Sequence, residues 1–332
     1  MISEHDRYDD DRENRWFLLH IYGKVILYRE YHLFSTHFHG MPISPDIITS
    51  IASLHREYIT LKKWKESLIM MIDEAELPEW VYNSNAIENS TLTLADTEKI
   101  LLDMKTSRNI HVREIYEARN LSKVMSYMRD KAKYGELGSE LILLLHQMLL
   151  SGINDEFAGR WRAKWEYVRV GTHIAPHPEQ VERLIEGILH DYASEDGRYP
   201  LEKVSQFHLA FENIHPFCDG NGRIGRVLMN FQLLSLGFPM VILRFRDRPR
   251  YYEAFREYDD KKRTAILDEL LYLGVMESLH KRLAYLRWLQ IIPLSDYARS
   301  IWATGSSVSN KAKRQTIPAF REKWVWKIGV EK

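Results

Sequence analysis

Twelve consecutive residues gather an imidazole, a carboxylate, an amide, three glycines and two guanidinium groups: His215-Pro216-Phe217-Cys218-Asp219-Gly220-Asn221-Gly222-Arg223-Ile224-Gly225-Arg226. The mixture suits a polyphosphate and a metal ion. His215 can accept a proton near neutral pH. Asp219 offers a hard oxygen to Mg²⁺, which takes one or two carboxylates together with substrate phosphates. Gly220 and Gly222 allow the backbone to turn and to present successive N–H groups. If Arg223 to Leu236 is a helix, those groups lie at the positive end of its dipole, where phosphate binds readily. Arg223 and Arg226 are three residues apart and share a helical face, and guanidinium groups grip phosphate oxygens in pairs. Phe217 reads as an apolar anchor for the loop, and Cys218 as incidental.

Two plainer readings compete. Gly220 to Gly225 formally matches the dinucleotide fingerprint G-x-G-x-x-G, but that fingerprint requires an apolar strand just before it. Here Glu212-Asn213-Ile214 precedes it, within or after a helix. A structural turn would explain the glycines but not His215, Asp219, Arg223 and Arg226 together.

The elements that must position these groups are mostly helical. Ile47, Ile48, Ile51, Leu54, Tyr58 and Leu61 recur at the spacing of a one-sided helix, as do Leu141, Leu144, Leu145, Met148 and Leu149. Met41 to Pro45 is a turn signal, with Pro45 suited to a helix start. Thr93, with Glu98 nearby, reads as another start. Residues 17 to 40 are apolar and aromatic in no clear register, and residues 1 to 16 read as a charged arm. Tyr167 to Ile174 alternates and is β-branched, so a short hairpin is predicted there, with a new helix near Glu179. After Pro293 we expect a helix from Leu294 to about Ile301, a Gly-Ser-Ser turn, a helix from Val308 to Arg314, and an extended end from Trp324 to Ile328.

Bulk composition narrows the classes. The 332 residues are 45% hydrophobic, enough for substantial cores. Lys plus Arg (46) balance Asp plus Glu (46), so any basic surface is local. The single cysteine, Cys218, excludes an internal disulfide framework. No apolar run is long enough for a bilayer, and the N-terminus lacks a secretory pattern. The expectation is a cytoplasmic protein with no membrane partner.

The twelve-residue string resembles the signature of Fic-domain proteins, His-Pro-Phe-x-Asp-Gly-Asn-Gly-Arg-x-x-Arg, at all nine specified positions. The resemblance spans roughly residues 42 to 290 and is strongest from 160 to 260. It implies an all-α fold with a short β-hairpin flap, and AMP transfer from ATP to a Ser, Thr or Tyr hydroxyl of a target protein. His215 would take the hydroxyl proton and Asp219 would hold Mg²⁺. The Gly220-Asn221-Gly222 amides would form the anion hole, and Arg223 and Arg226 would hold the outer phosphates. Gly225 belongs to the same expected ATP site. A kinase-like branch of the family carries Asn-Lys where Gly222-Arg223 stands, so this chain favours AMP transfer.

Three further features take meaning from that resemblance. Val170, Gly171, Thr172 and His173 fall where the family places its flap, at the ATP site and against the target segment. Ser84-Asn85-Ala86-Ile87-Glu88-Asn89 fits the family's inhibitory pattern, Ser/Thr-x-x-x-Glu-Gly/Asn, on the N-terminal side of the core. Ser84, Glu88 and Asn89 would then restrain the enzyme, with Glu88 pairing Arg226 and misaligning ATP. Misplacement of about 1 Å can cost roughly a hundredfold in rate. Tyr251 and Tyr252 resemble the pair that flanks the base, although such residues are more often core or rim. Asp259 falls where some relatives place Asn, which weakens a base contact there.

Residues 291 to 332 resemble the helix-turn-helix or winged-helix modules appended to many bacterial Fic proteins, with DNA as the implied partner. A basic tail and a protein-docking module are the competing readings. The expected divisions are an arm (1–40), a helical region with the inhibitory motif (41–134), the Fic core (135–290) and the C-terminal module (291–332). Relief of inhibition by a change of oligomer, a homodimer included, or by target binding is a further expectation. Two other activities stay open: removal of AMP, with Glu88 positioning a water, and a DNA-binding regulator that senses nucleotide.

Overall fold

A computed structural model describes residues 16–21, 24–29, 45–104 and 109–331. The expected charged arm lies outside these residues except for Trp16, and so does the turn expected over 41–44. The N-terminal unit, taken by itself, contains an antiparallel hairpin of β1 (Trp16–Ile21) and β2 (Lys24–Arg29), with Trp16 opposite Arg29.

The second unit is helical with two small sheets. It runs through α1 (Pro45–Lys62), α2 (Glu66–Ile87), α3 (Leu94–Leu101), α4 (Val112–Lys131) and α5 (Ser139–Leu150). The flap follows, β3 (Arg169–Val170) antiparallel to β4 (His173–Ile174), where the sequence alternation placed it. Then come α6 (Val181–Ala193), α7 (Pro200–Ile214), α8 (Asn221–Ser235), α9 (Arg248–Lys261) and α10 (Ala265–Leu286). The chain ends with β5 (Gln290–Pro293), α11 (Leu294–Ser300), α12 (Gly305–Lys313), β6 (Ala319–Glu322) and β7 (Val325–Val330), the strands ordered β5-β7-β6. None of the described helices is long and apolar enough to cross a membrane.

Local chemistry explains the boundaries. Thr93 caps α3, but its reciprocal partner is Asp96 and not Glu98, because the capping box needs the carboxylate at the third helical position. The Gly-Ser-Ser stretch after Thr304 is the first turn of α12 and not a free turn; the Thr304 hydroxyl accepts from the Ser307 N–H and starts the helix there. Pro78 lies inside α2. Having no N–H, it interrupts the helix ladder just before the segment that carries Ser84 and Glu88.

Two apolar cores lie on either side of α2 and α8. One packs Trp80, Leu121, Leu145, Phe211, Phe217 and Val227. The other packs Ile51, Ile87, Met229, Tyr251, Leu271 and Leu279. Helices α2, α7 and α8 contribute to both, so the loop between α7 and α8 is held from two directions. A third, small core of Leu294, Ala298, Val308, Ala312, Ala319 and Ile328 belongs to the C-terminal module alone.

Candidate active site

Helix α7 ends at Ile214, and His215 takes the left-handed conformation (φ 51°), which turns the chain sharply. The turn is over-determined. Arg162, almost wholly buried, donates to the carbonyls of His215 (2.7 Å), Ile214 (3.3 Å), Glu166 (2.9 Å) and Pro176 (3.0 Å). Phe217 is fully buried and stacks on His146, ring centroids 3.6 Å apart. His146 in turn reaches the Asp219 carbonyl at 3.0 Å. Gly220 (φ 82°) then launches α8, whose first N–H groups have no intrahelical partner.

His215 is set up as a base. Its Nδ1 lies 3.3 Å from the Glu212 carbonyl. A carbonyl only accepts, so Nδ1 carries the proton and Nε2 keeps its lone pair. Burial of the ring, with Arg162 and His173 nearby, pushes its pKa down to about 4. The imidazole is therefore neutral across the physiological range.

The cradle at the start of α8 holds a carboxylate from α2. Arg226 donates through Nη2 to Glu88 Oε1 (2.8 Å) and to the Ser84 carbonyl (2.8 Å), and through Nε to the Ser84 hydroxyl (2.9 Å). Its side chain is only 3% exposed, while that of Glu88 is 37% exposed. A Cβ added to Gly222 would fall 2.2 Å from Glu88 Oε1, so this glycine is what lets the carboxylate approach the helix end. Asn89 takes the left-handed conformation just after α2 (φ 68°), and its backbone N–H donates to the Ala86 carbonyl (3.0 Å).

Asp219 is engaged by two cations. Its Oδ2 accepts from Arg113 of α4 (2.7 Å) and its Oδ1 from Arg223 (3.0 Å). Glu117 pairs with both arginines, at 3.0 Å and 3.3 Å. No cluster of three or more His, Cys, Asp or Glu able to hold a metal occurs among the described residues. The donor set therefore fits a Mg²⁺ that arrives with phosphates, for which one half-exposed carboxylate suffices; it does not fit a metal caged by protein alone.

Several expected ATP contacts have other roles in this structure. Asn221 spends its side chain on the Phe217 backbone, accepting from the N–H (2.9 Å) and donating to the carbonyl (2.8 Å). It braces the loop and presents only its backbone to a ligand. Gly225 faces α7, where a Cβ would fall 2.3 Å from Glu212 Oε1. It permits close helix packing against α7. Tyr251 is 2% exposed, with its hydroxyl 2.6 Å from His208 Nε2, so it sits beneath the site and does not form its wall. Tyr252 is on the rim, and its hydroxyl donates to the Ile87 carbonyl (3.0 Å) at the end of α2.

In the flap, Val170 is exposed and Gly171 (φ 60°) and Thr172 form the turn. His173 is tied down, with Nε2 2.8 Å from the Asn213 carbonyl and Nδ1 3.0 Å from Asp259. Asp259 thus joins the flap to α7.

Four residues here were invisible to motif reading: Arg162, Arg113, Glu117 and Glu212. Glu212, one turn before His215, has a buried Oε1 with no hydrogen-bond partner, and burial pushes its pKa up to about 8. Its position three residues before the imidazole was the available signal. His146, the one ionisable side chain between Leu141 and Leu150, could likewise have been noticed.

Residues 136–233 match the Fic/DOC family. The chain is 34% identical over 177 residues to the protein adenylyltransferase Fic of Nematostella vectensis, covering 52% of this chain and 41% of that protein. It is 27% identical over 259 residues to that of Drosophila grimshawi, covering 71% and 52%. The chain thus spans about half or less of the length of these curated relatives. Among solved structures, Fic-1 from C. elegans superposes with a TM-score of 0.62 at 24% identity, covering 73% of this chain and 72% of that one. A Fic family protein from Desulfovibrio desulfuricans G20 covers 89% of this chain and 99% of its own at 21% identity, with a TM-score of 0.60. The solved structures show the fold, and the nine-position signature between α7 and α8 lies within residues 136–233, the stretch that matches the Fic/DOC family.

Proposed function

We propose that this protein transfers AMP from ATP to a hydroxyl side chain of a target protein, and that Glu88 restrains the transfer. The observation that carries this reading is the carboxylate in the cradle. Glu88 satisfies Arg226 at the N-terminus of α8, where a phosphate would otherwise sit, while a neutral imidazole waits beside it. An anion site that is filled by the chain's own anion is a site under restraint.

The chemistry follows from the residues. His215 Nε2 accepts the proton of the target hydroxyl, and the hydroxyl oxygen bonds to the α-phosphorus of ATP. The bond from that phosphorus to the bridging oxygen breaks, and pyrophosphate leaves. The N–H groups at the start of α8 receive the charge that builds on the phosphate oxygens. Arg226, released from Glu88, and Arg223 hold the outer phosphates. Asp219 would hold a Mg²⁺ that neutralises phosphate charge. The exposed flap strands offer main-chain pairing to an extended target segment, which would position the hydroxyl without reading much of its sequence.

Incubation with ATP labelled at the α-phosphate tests the reading. The Glu88→Gly variant should label itself or a target far more than wild type, and His215→Ala in that background should label nothing. Equal labelling of wild type and Glu88→Gly would remove the restraint from the account. Release of AMP from a premodified protein, lost in Glu88→Gly, would assign the reverse reaction instead.

A second activity is favoured by one surface. Between Tyr297 and Arg321 the C-terminal module contains no acidic residue, while Lys311, Lys313 and Arg314 are exposed on or beside α12. This supports binding of α12 in the major groove of DNA, with phosphate contacts and a steep salt dependence. Duplex binding that does not weaken between low and high salt would refute it.

A further inference from the structure

We propose that the C-terminal wing is the clamp that positions the inhibitory helix, so that residues 291–332 govern the site through Glu88. This inference rests on the restraint by Glu88 proposed above.

The wing turn, Lys323-Trp324, joins β6 to β7 and reaches α2. The Lys323 backbone N–H donates to Glu79 Oε2 at 2.9 Å. The Trp324 indole meets the Tyr82 ring edge-on, centroids 5.5 Å apart. The Lys323 ammonium pairs with Glu98 of α3 at 2.8 Å. Glu79 and Tyr82 are the first turn of α2 beyond Pro78, and Ser84 and Glu88 lie on the next two. The proline breaks the backbone ladder between the two halves of the helix. The half that carries Ser84 and Glu88 therefore depends on side contacts for its placement more than an unbroken helix would.

Those contacts are anchored in the module's own support. Arg321 of β6 makes a forked pair with Glu277 of α10, at 3.0 Å and 2.6 Å. Glu277 also holds Arg244 (3.0 Å), and Arg244 reaches back to Glu79 (3.2 Å). Glu79 is thus held from the wing turn and from the α10 side together. One turn on, Asn83 accepts from the Phe245 N–H at 2.9 Å. The wing, the stretch before α9 and α2 form one polar joint, and its output is the position of Glu88.

The wing tip itself belongs to no core. Trp324 is 53% exposed, and the module packs its own apolar cluster without it. A contact that the module does not need for folding, made to the one helix segment that fills the anion cradle, is the arrangement of a positioning device. Whatever engages the module can act on the cradle by the same route.

The test compares full-length wild type, Glu88→Gly, the wing-tip variant Lys323→Glu/Trp324→Ala, and the triple variant. Lys323→Glu places a carboxylate between Glu79 and Glu98. Loss of the exposed Lys323–Glu98 pair and of the Trp324–Tyr82 ring contact, with a like charge set beside Glu79, should raise labelling from ATP by roughly five- to tenfold. Hydrogen exchange over residues 79–89 should quicken, and the triple variant should label no more than Glu88→Gly alone. Tyr82→Ala, which cuts the ring contact from the α2 side, should move labelling in the same direction. If the wing-tip variant labels as wild type while Glu88→Gly is activated, the clamp is wrong and the Glu88 restraint stands. If it changes labelling by the same factor with and without Glu88, the wing acts on turnover directly and the clamp is equally wrong. If Glu88→Gly is not activated, the underlying reading fails instead.

Discussion

Two of the buried arginines that grasp helix α2, Arg282 and Arg226, do so differently. Arg282 of α10, fully buried, holds Asp73 (2.5 Å) and Glu76 (2.7 Å) in the first half of α2 and turns back to the Ser278 hydroxyl (2.7 Å). Arg226 of α8 holds Ser84 and Glu88 in the second half, with a single carboxylate that reaches solvent on one side. The first clasp has two enclosed carboxylates and nowhere to go. Lys281 pairs Glu76 as well, and against its burial these two cations keep Glu76 below the usual carboxylate range. The second clasp can exchange its carboxylate for another anion at little cost, because Glu88 moves into water when it leaves. Two ion pairs of similar length at one helix thus differ in the exposure of the acid. Buried pairs are costly to break from one side; half-exposed ones are not.

The largest expected effect separates these roles. Arg282→Ala strands two carboxylates in the interior and should cost about 3–5 kcal/mol of stability, read by chemical denaturation. A loss of less than about 1 kcal/mol would erase the contrast. Glu88→Gly should barely move the melting temperature yet raise labelling by roughly a hundredfold, the scale expected when a displaced phosphorus returns to alignment. A stability loss like that of Arg282→Ala would make the second clasp structural too.

The next effect concerns the carboxyl between the cores. Glu212 stays protonated in the fold up to about pH 8 because burial opposes its charge. A raised carboxyl pKa contributes stability that is complete below its unfolded value near 4.5 and is lost as pH rises toward 8. Glu212→Gln should therefore raise the melting temperature by several degrees at pH 8 and leave it almost unchanged at pH 4. A uniform shift across that window would contradict the assigned burial.

The smallest effect tests the outer rim. Arg113 is exposed and competes for Asp219 Oδ2. Arg113→Gln, in the Glu88→Gly background, should lower the Mg²⁺ concentration needed for half-maximal nucleotide binding by about two- to fivefold, since exposed pairs are worth ~0.2–1 kcal/mol. Titration calorimetry reads this without turnover, and an increased requirement would show that Arg113 assists the nucleotide.

The catalytic loop was legible because its chemistry is contiguous. Twelve residues carry the imidazole, the carboxylate, the turn glycines and the arginines, and the helix taken there as a condition from Arg223 to Leu236 runs from Asn221 to Ser235. Ser84 and Glu88 were singled out through the family resemblance and not through their spacing alone, and both meet Arg226 of α8 in the structure. What stayed hidden is what the chain assembles from afar. Nothing near Arg282 names Asp73 and Glu76, some two hundred residues earlier. Tyr251 and Tyr252 look alike in sequence, yet one faces His208 in the core and the other the rim, because successive residues on a helix point about 100° apart. Asn221 and Gly225 sit within the signature, and their types suggested ligand contacts. Only packing shows that one braces Phe217 and the other admits α7.

The gap above Gly222 has a practical consequence. The missing methyl makes room for Glu88, and under the proposed function a phosphate oxygen would need the same room, so brake and fuel would share a single seat. A side chain placed at 222 would then evict both together and leave a protein neither silenced nor usable. On that reading a permanently active form has to be engineered at position 88 or along the helix behind it, and never by widening or lining the seat itself.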